Sequence, residues 1–206
     1  MASNNYIFMN KTPLLIVCSG LFIAGCATSN KPNVRYVDPQ AQGSVAGTGI
    51  ESQDLIQVTD KMARAISATP KIAYADRAPT IVLLPVENTT RFPIDKDIFI
   101  KRIKAQLATK LDGKVVFVAR DRIEAVQTER ELKADGKVTS SGSNRKMTGA
   151  DYFLTGELSG LSQANSRGNS DYVLYTFRLI DAVTSNQVWE DFVEIKKEGQ
   201  DSGVYR

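Results

Sequence analysis

Leu55, Val58, Met62 and Ile66 recur at offsets of three and four, which predicts one amphipathic helix, with Ser52 or Asp54 placed to cap its first turn and Pro70 to stop it. Thr80 to Val86 is a short β-branched apolar run. It reads as a buried central strand whose pairing Pro85 limits. Phe99, Ile103, Leu107 and Leu111 form a second helical stripe, with Asp95 or Asp97 as cap and Gly113 just past its end. Val115 to Val118 reads as a second buried strand, and Asp121 with Glu124 as a capping-box-like start to a third, more polar helix that Gly136 ends. Three strands follow, Asp151 to Leu158, Tyr172 to Ile180 and Val188 to Ile195. In the middle one Val173, Tyr175, Phe177 and Leu179 alternate with mostly polar neighbours, so that one face packs and the other is wetter. The order α-β-α-β-α-β-β-β predicts a single α+β domain, with a mixed sheet of about five strands flanked by about three helices and antiparallel connections at its C-terminal end.

The N-terminal region is patterned differently. Lys11 precedes an apolar stretch from Leu14 to Ile23, and Ile23-Ala24-Gly25-Cys26 closes it with small residues. The stretch is shorter than the ~20 apolar residues that a spanning helix needs. It resembles a bacterial lipoprotein signal peptide with its lipobox. The resemblance implies cleavage before Cys26, lipidation of that thiol and, with Ala27 rather than Asp after it, sorting to the outer membrane in the enterobacterial manner. Met9 is an alternative start. Residues 27 to 50 are polar and glycine-rich with Pro32 and Pro39, and read as a flexible tether of at most roughly 80 Å. Gly43 to Gly49 lacks the Gly-Lys-Ser/Thr and the preceding strand of a phosphate loop, and belongs to that tether. The chain thus divides into a signal segment, residues 1–25; a lipidated cysteine and tether, residues 26–50; and a globular domain, residues 51–206.

Composition narrows the chemistry. Without residues 1–25 the chain keeps 25 basic residues against 23 acidic ones, and this balance, with no basic stripe, argues against a nucleic-acid partner. Of the two cysteines, Cys18 lies in the signal segment and Cys26 carries lipid. An apolar core rather than a disulfide must therefore hold the fold. There is no histidine, which excludes Ser-His-Asp and Cys-His catalysis and His-ligated zinc. Nothing in the spacing of carboxylates pairs them for acid-base work, so no catalytic residue, metal ligand or cofactor is expected; Asp151 is a conceivable acid, without a partner.

Asp54; Val86-Glu87-Asn88-Thr89-Thr90; Gly149-Ala150-Asp151-Tyr152 leading into Leu154-Thr155-Gly156-Glu157; Tyr175, Leu179, Asp181 and Trp189; and Lys196-Lys197 are spread through the domain. In the order and spacing of these residues the domain resembles the LpoB-type activators of bifunctional penicillin-binding proteins, whose fold is related to the TolB N-terminal domain and to the curli-channel lipoprotein CsgG. The resemblance implies a monomeric outer-membrane lipoprotein that binds a bifunctional (class A) penicillin-binding protein and activates it allosterically in peptidoglycan synthesis. The alternative is an assembly or export component related to the curli channel. Two departures stand out. The last hairpin reads Thr184-Ser185-Asn186 in place of Thr-Gly, with Asn186 able to take a left-handed conformation, and the tether is short with two prolines.

Partner contacts are expected on exposed loops, which leaves two segments. Asn88 to Pro93 contributes Asn88, Thr89 and Arg91. Ser159 to Ser170, read as a long polar loop within a hairpin, contributes Arg167. Asn88 and Thr89 also suit a structural turn after a strand, Gly156 suits a bulge or a closely packed helix, and Trp189 suits a half-buried sheet anchor.

Overall fold

The structure, a computed structural model, describes residues 36–43, 46–139 and 146–200. The signal segment and Cys26 lie outside the described residues. The stripe at 55, 58, 62 and 66 becomes α1 (Ser52–Ala68), with Val58, Met62 and Ile66 fully buried and Leu55 packed at the margin of the core. Its cap is Glu51 rather than Ser52 or Asp54. Glu51 and Asp54 form a reciprocal capping box, in which the Glu51 amide donates to Asp54 Oδ2 at 2.9 Å, while Ser52 Oγ donates outward to the Pro39 carbonyl at 2.9 Å. Pro70 ends α1 and also opens a one-turn helix, α2 (Pro70–Ala73), at the position where its missing N–H has no cost.

The central strand β1 (Thr80–Leu83) stops before Pro85, and the chain rejoins the sheet as β2 (Glu87–Asn88). Helix α3 (Asp97–Leu111) buries Phe99, Ile100, Ile103 and Leu107. Its N-cap is Lys96, without a side-chain bond; Asp95 Oδ1 accepts the Asp97 amide, and Asp97 accepts that of Val86. Asp112 and Gly113, both at positive φ, end it. The strand read as buried, β3 (Val116–Val118), is instead the sheet's edge, with Val116 46% exposed: among the described residues the apolar run pairs with one strand, β1. The capping box expected at Asp121 and Glu124 does not form, because a 3₁₀ turn at Arg120–Arg122 occupies that place and Asp121 pairs with Arg122. Helix α4 (Ile123–Ala134) follows and buries none of its residues.

The last third of the chain is a meander of three long strands, β4 (Tyr152–Asn165), β5 (Gly168–Asp181) and β6 (Gln187–Gly199). The sheet order is β3-β1-β4-β5-β6, parallel through β3, β1 and β4 and antiparallel through β4, β5 and β6, with β2 also parallel to β4. Leu154 and Leu158 of β4, and Val173, Tyr175, Phe177 and Leu179 of β5, face α1 and α3 in the core. The Phe99 ring lies 5.4 Å from Tyr175 and 6.4 Å from Phe177. Trp189 is half-buried against the same core. In the β5–β6 turn the left-handed residue is Ser185 rather than Asn186, since Asp181 Oδ1 accepts the amides of Val183 and Thr184 and tightens the turn one residue earlier.

Two boundaries differ from the sequence reading. Ser159 to Ser170 is not a loop: β4 and β5 run on in unbroken register to a two-residue turn at Ser166 and Arg167. The packed structure also begins before residue 51, because Thr48 and Ile50 are buried inside the segment read as tether.

Candidate partner interface

The loop after β2 is built from its own hydrogen bonds. Asn88 Nδ2 donates to the Phe92 carbonyl at 2.8 Å, and its Oδ1 accepts the amide and hydroxyl of Thr90 at 3.0 and 2.7 Å, an Asx turn. The Thr89 amide and hydroxyl both donate to the Leu158 carbonyl, at 2.8 and 3.1 Å, stitching the loop to β4. Arg91 reaches inward. Its Nε and an amino group form a two-pronged pair with Asp171 at 2.8 and 2.6 Å, and its guanidinium lies 4.7 Å from the Phe92 ring. The Asp171 side chain is 1% exposed. Burial pushes its carboxyl up, but hydrogen bonds from Arg91, Ser162 and Thr48 and the Arg91 charge outweigh that and hold it at about 2.

Arg167 stands apart from this group. It occupies the tip of the β4–β5 hairpin, which begins seven strand residues, about 23 Å, beyond the Leu158 that holds Thr89 and three, about 10 Å, beyond the Asp171 that holds Arg91. Asn88, Thr89 and Arg91 are therefore one stitched turn, and Arg167 belongs to a different part of the surface.

Asp151 is also structural in its bonding. It accepts two bonds from Arg77 and both the amide and hydroxyl of Thr80 at 2.7 Å, tying the start of β4 to β1. The Arg77 bond, against burial and with help from Thr80, lowers its carboxyl to about 2, so it is an ionised staple at neutral pH and not a proton donor. Among the described residues, no group of three acidic or cysteine side chains could hold a metal.

The largest exposed apolar side chains of the sheet lie not on a loop but on the outer face of β4, β5 and β6. The helices in extensive contact with these strands, α1 and α3, pack on the inner side. Alternation sends Glu157, Ser159 and Leu161 of β4, Tyr172, Leu174, Thr176 and Arg178 of β5, and Glu190, Phe192, Glu194 and Lys196 of β6 to the other. Leu161 is 71% exposed and Phe192 50%; Leu161 pairs with Tyr172 and Phe192 with Thr176, and Leu174 lies between those two positions on β5. The rim is polar and more acidic than basic. Arg178 lies between Glu157 at 3.4 Å and Glu190 at 3.7 Å, and the Tyr172 hydroxyl donates to Glu194 at 2.7 Å. A shallow groove lined by Leu84, Pro85, Asn88, Lys96 and Thr155 adjoins it, so Asn88 borders the face. Large apolar side chains ringed by polar ones on a rigid sheet mark a protein-binding surface. Leu161 sits in a polar stretch, which hid that it lies on a strand; the signal for Phe192 was its alternation with the buried Val193.

A family profile described as the peptidoglycan-synthase activator LpoB matches residues 54–195. Among solved structures, the chain is similar to the LpoB C-terminal domain from Salmonella enterica, at 15% identity and a TM-score of 0.41, covering 70% of this chain and 99% of that one. It is similar to the LpoB C-terminal domain from Escherichia coli at 16% identity and a TM-score of 0.40, with the same 70% and 99% coverage. The NMR structure of E. coli LpoB matches at 14% identity and a TM-score of 0.39, covering 93% of this chain and 96% of that one. No curated protein matches the chain.

Proposed function

Because the chain belongs to the LpoB family of peptidoglycan-synthase activators, we propose that it is an outer-membrane lipoprotein, anchored through Cys26 and facing the periplasm. In this reading it docks as a monomer on a bifunctional (class A) penicillin-binding protein, raises polymerisation and cross-linking allosterically, and performs no chemistry itself. The observation that carries the docking part is the open β4–β5–β6 face, where Leu161 and Phe192 stand exposed on a rigid meander. The lipobox ending at Cys26 supports the anchor, since several acyl chains hold a protein to a leaflet where one does so only marginally.

Reach constrains the partner. With Pro39 and Gln40 hydrogen-bonded to the start of α1, the chain from Cys26 to its first contact with the domain spans at most roughly 45 Å. A synthase rooted in the inner membrane must therefore present its docking domain well out into the periplasm.

An activator works only through its tighter binding to the active form of the enzyme, and a tenfold rate gain corresponds to ~1.4 kcal/mol of differential affinity. The test measures glycan polymerisation and peptide cross-linking from lipid-linked precursor by the cognate synthase, with and without the mature chain at saturating concentration. Stimulation, with no hydrolase or transferase activity of the chain alone, is expected. No binding and no rate change would discard the activator reading. Mass spectrometry of the mature N-terminal peptide and gradient fractionation of membranes test the anchor; an uncleaved, unmodified N-terminus would remove it.

A further inference from the structure

The inner face of the last third of the meander is not apolar. It presents Ser162 of β4, Asp171 of β5 and Lys197 of β6, the last two opposite each other in register. These groups are satisfied by two segments from elsewhere in the chain. Asp171 takes the Arg91 pair, the Ser162 hydroxyl at 2.5 Å and the Thr48 side chain. Lys197 Nζ donates to the Gly49 carbonyl at 2.8 Å and to Asp54 Oδ2 at 2.6 Å, with Glu51 Oε2 at 3.9 Å. Glu51 Oε1 in turn accepts the Gly47 amide at 2.6 Å, and Thr48 is buried against Gly199, whose added Cβ would lie 3.4 Å from the Thr48 methyl. Residues 47–51 are thus a strap laid across the back of the sheet, and they carry the first buried side chain among the described residues, after the exposed bonds by which Pro39 and Gln40 meet Ser52 and Gln53 of α1.

We propose that this strap couples the tether to the docking face: seated, it holds the distal ends of β4, β5 and β6 in shape, and load on the tether unseats it and loosens them. Each strap contact is one residue from an outer-face side chain, Ser162 beside Leu161, Asp171 beside Tyr172 and Lys197 beside Lys196. Load first breaks the two exposed bonds at Pro39 and Gln40 and then reaches Thr48 and Gly49. Releasing them leaves the buried Asp171 and the half-buried Lys197 with fewer partners, a state that costs free energy and favours local opening of the strands. It also lengthens the tether by about 15 Å at ~3.3 Å per residue. A slack tether therefore presents an ordered face and a taut one a loosened face. The strap's hold on the strands is a property of the fold; load on the tether and its consequence for a synthase rest on the anchor and partner of the proposed function.

The test is amide hydrogen exchange on the full chain in detergent. Thr48→Val removes the bond to Asp171 while keeping shape. It is expected to speed exchange in residues 159–172 and 195–199 about tenfold while leaving Ile103 and Leu107 of α3 unchanged. Faster exchange confined to residues 46–50 would overturn the coupling. Should Thr48→Val loosen the whole domain, the decision passes to Thr48→Cys combined with Gly199→Cys, compared oxidised and reduced. Stronger protection of 159–172 in the oxidised form supports the strap, and equal protection overturns it. Synthase stimulation by the same proteins is read separately: altered exchange with no stimulation in any form would sink the activator reading and leave the strap standing.

Discussion

Gly156 of β4 lies beneath the ring of Phe177, its registered partner on β5. A Cβ at position 156 would come within 2.5 Å of Phe177 Cδ1 and 2.8 Å of the Thr176 carbonyl. The glycine is required by a cross-strand ring, not by a bulge or a helix, since the β4–β5 register runs through it unshifted. Gly156→Ala should destabilise by about 1–3 kcal/mol, as overpacking of a dense core does. In urea titrations the midpoint should fall with the slope unchanged. In a Phe177→Ala background, itself costing ~3–5 kcal/mol, the added penalty of Gly156→Ala should largely vanish, because the clashing ring is gone. An undiminished penalty would mean that backbone rather than ring is the obstacle.

The outer face gives a prediction about binding alone. Leu161→Ser and Phe192→Ser remove exposed apolar groups and should leave thermal stability within about 0.5 kcal/mol. Each should weaken synthase stimulation by about five- to thirty-fold in the concentration required, the range for a central contact worth 1–2 kcal/mol. Full potency in both variants would move the docking site off this face.

Much of the fold is legible in the chain because its core elements bury one clean face. The stripes at 55, 58, 62, 66 and at 99, 103, 107 became α1 and α3, and the alternation from Val173 to Leu179 became the buried face of β5. The misreadings share a cause. Val115 to Val118 looks central by composition, yet only pairing order, a long-range property, decides which strand is the edge. Ser159 to Ser170 looks like a loop because the inner positions of those strands are Gly160, Ser162 and Asp171, whose partners Thr90, Arg91 and Thr48 come from distant segments. With polar residues on both faces the period-two signal disappears. The same blindness hid the outer face of the meander, whose exposed Leu161 sits in that stretch, and the strap, whose Thr48 sits among glycines.

Acid should unfold the domain in a defined window. Asp151 and Asp171 are both held at about 2, against ~3.9 for an unfolded aspartate. A carboxyl depressed in the folded state contributes stability that is fully present above the unfolded value and is lost as pH falls through the folded one. Urea-derived stability should therefore fall as pH drops from about 4 to about 2, with Asp171 accounting for about 2 kcal/mol of the loss. The share of Asp151 should be smaller, since Arg77 is largely exposed and screened. No histidine adds a step near neutrality. Asp171→Asn should start less stable and show a shallower acid limb; an unchanged limb would place the acid sensitivity elsewhere.

Arg91 separates positioning from contact. Its side chain is 42% exposed, yet the guanidinium is committed to a carboxylate that is 1% exposed. Removing one member of such a pair leaves a buried charge without its counterion, so Arg91→Met should cost about 3–5 kcal/mol. Arg91→Met with Asp171→Leu should cost less than Arg91→Met alone, because the orphaned carboxylate is gone, and the double-mutant cycle should show a coupling of at least ~1 kcal/mol. This outcome makes Arg91 the peg that fixes the Asn88–Phe92 turn to β5, and its effect on synthase stimulation should then follow stability rather than precede it. A stable Arg91→Met chain that no longer stimulates the synthase would make Arg91 a contact residue and extend the docking surface from the outer face to the turn.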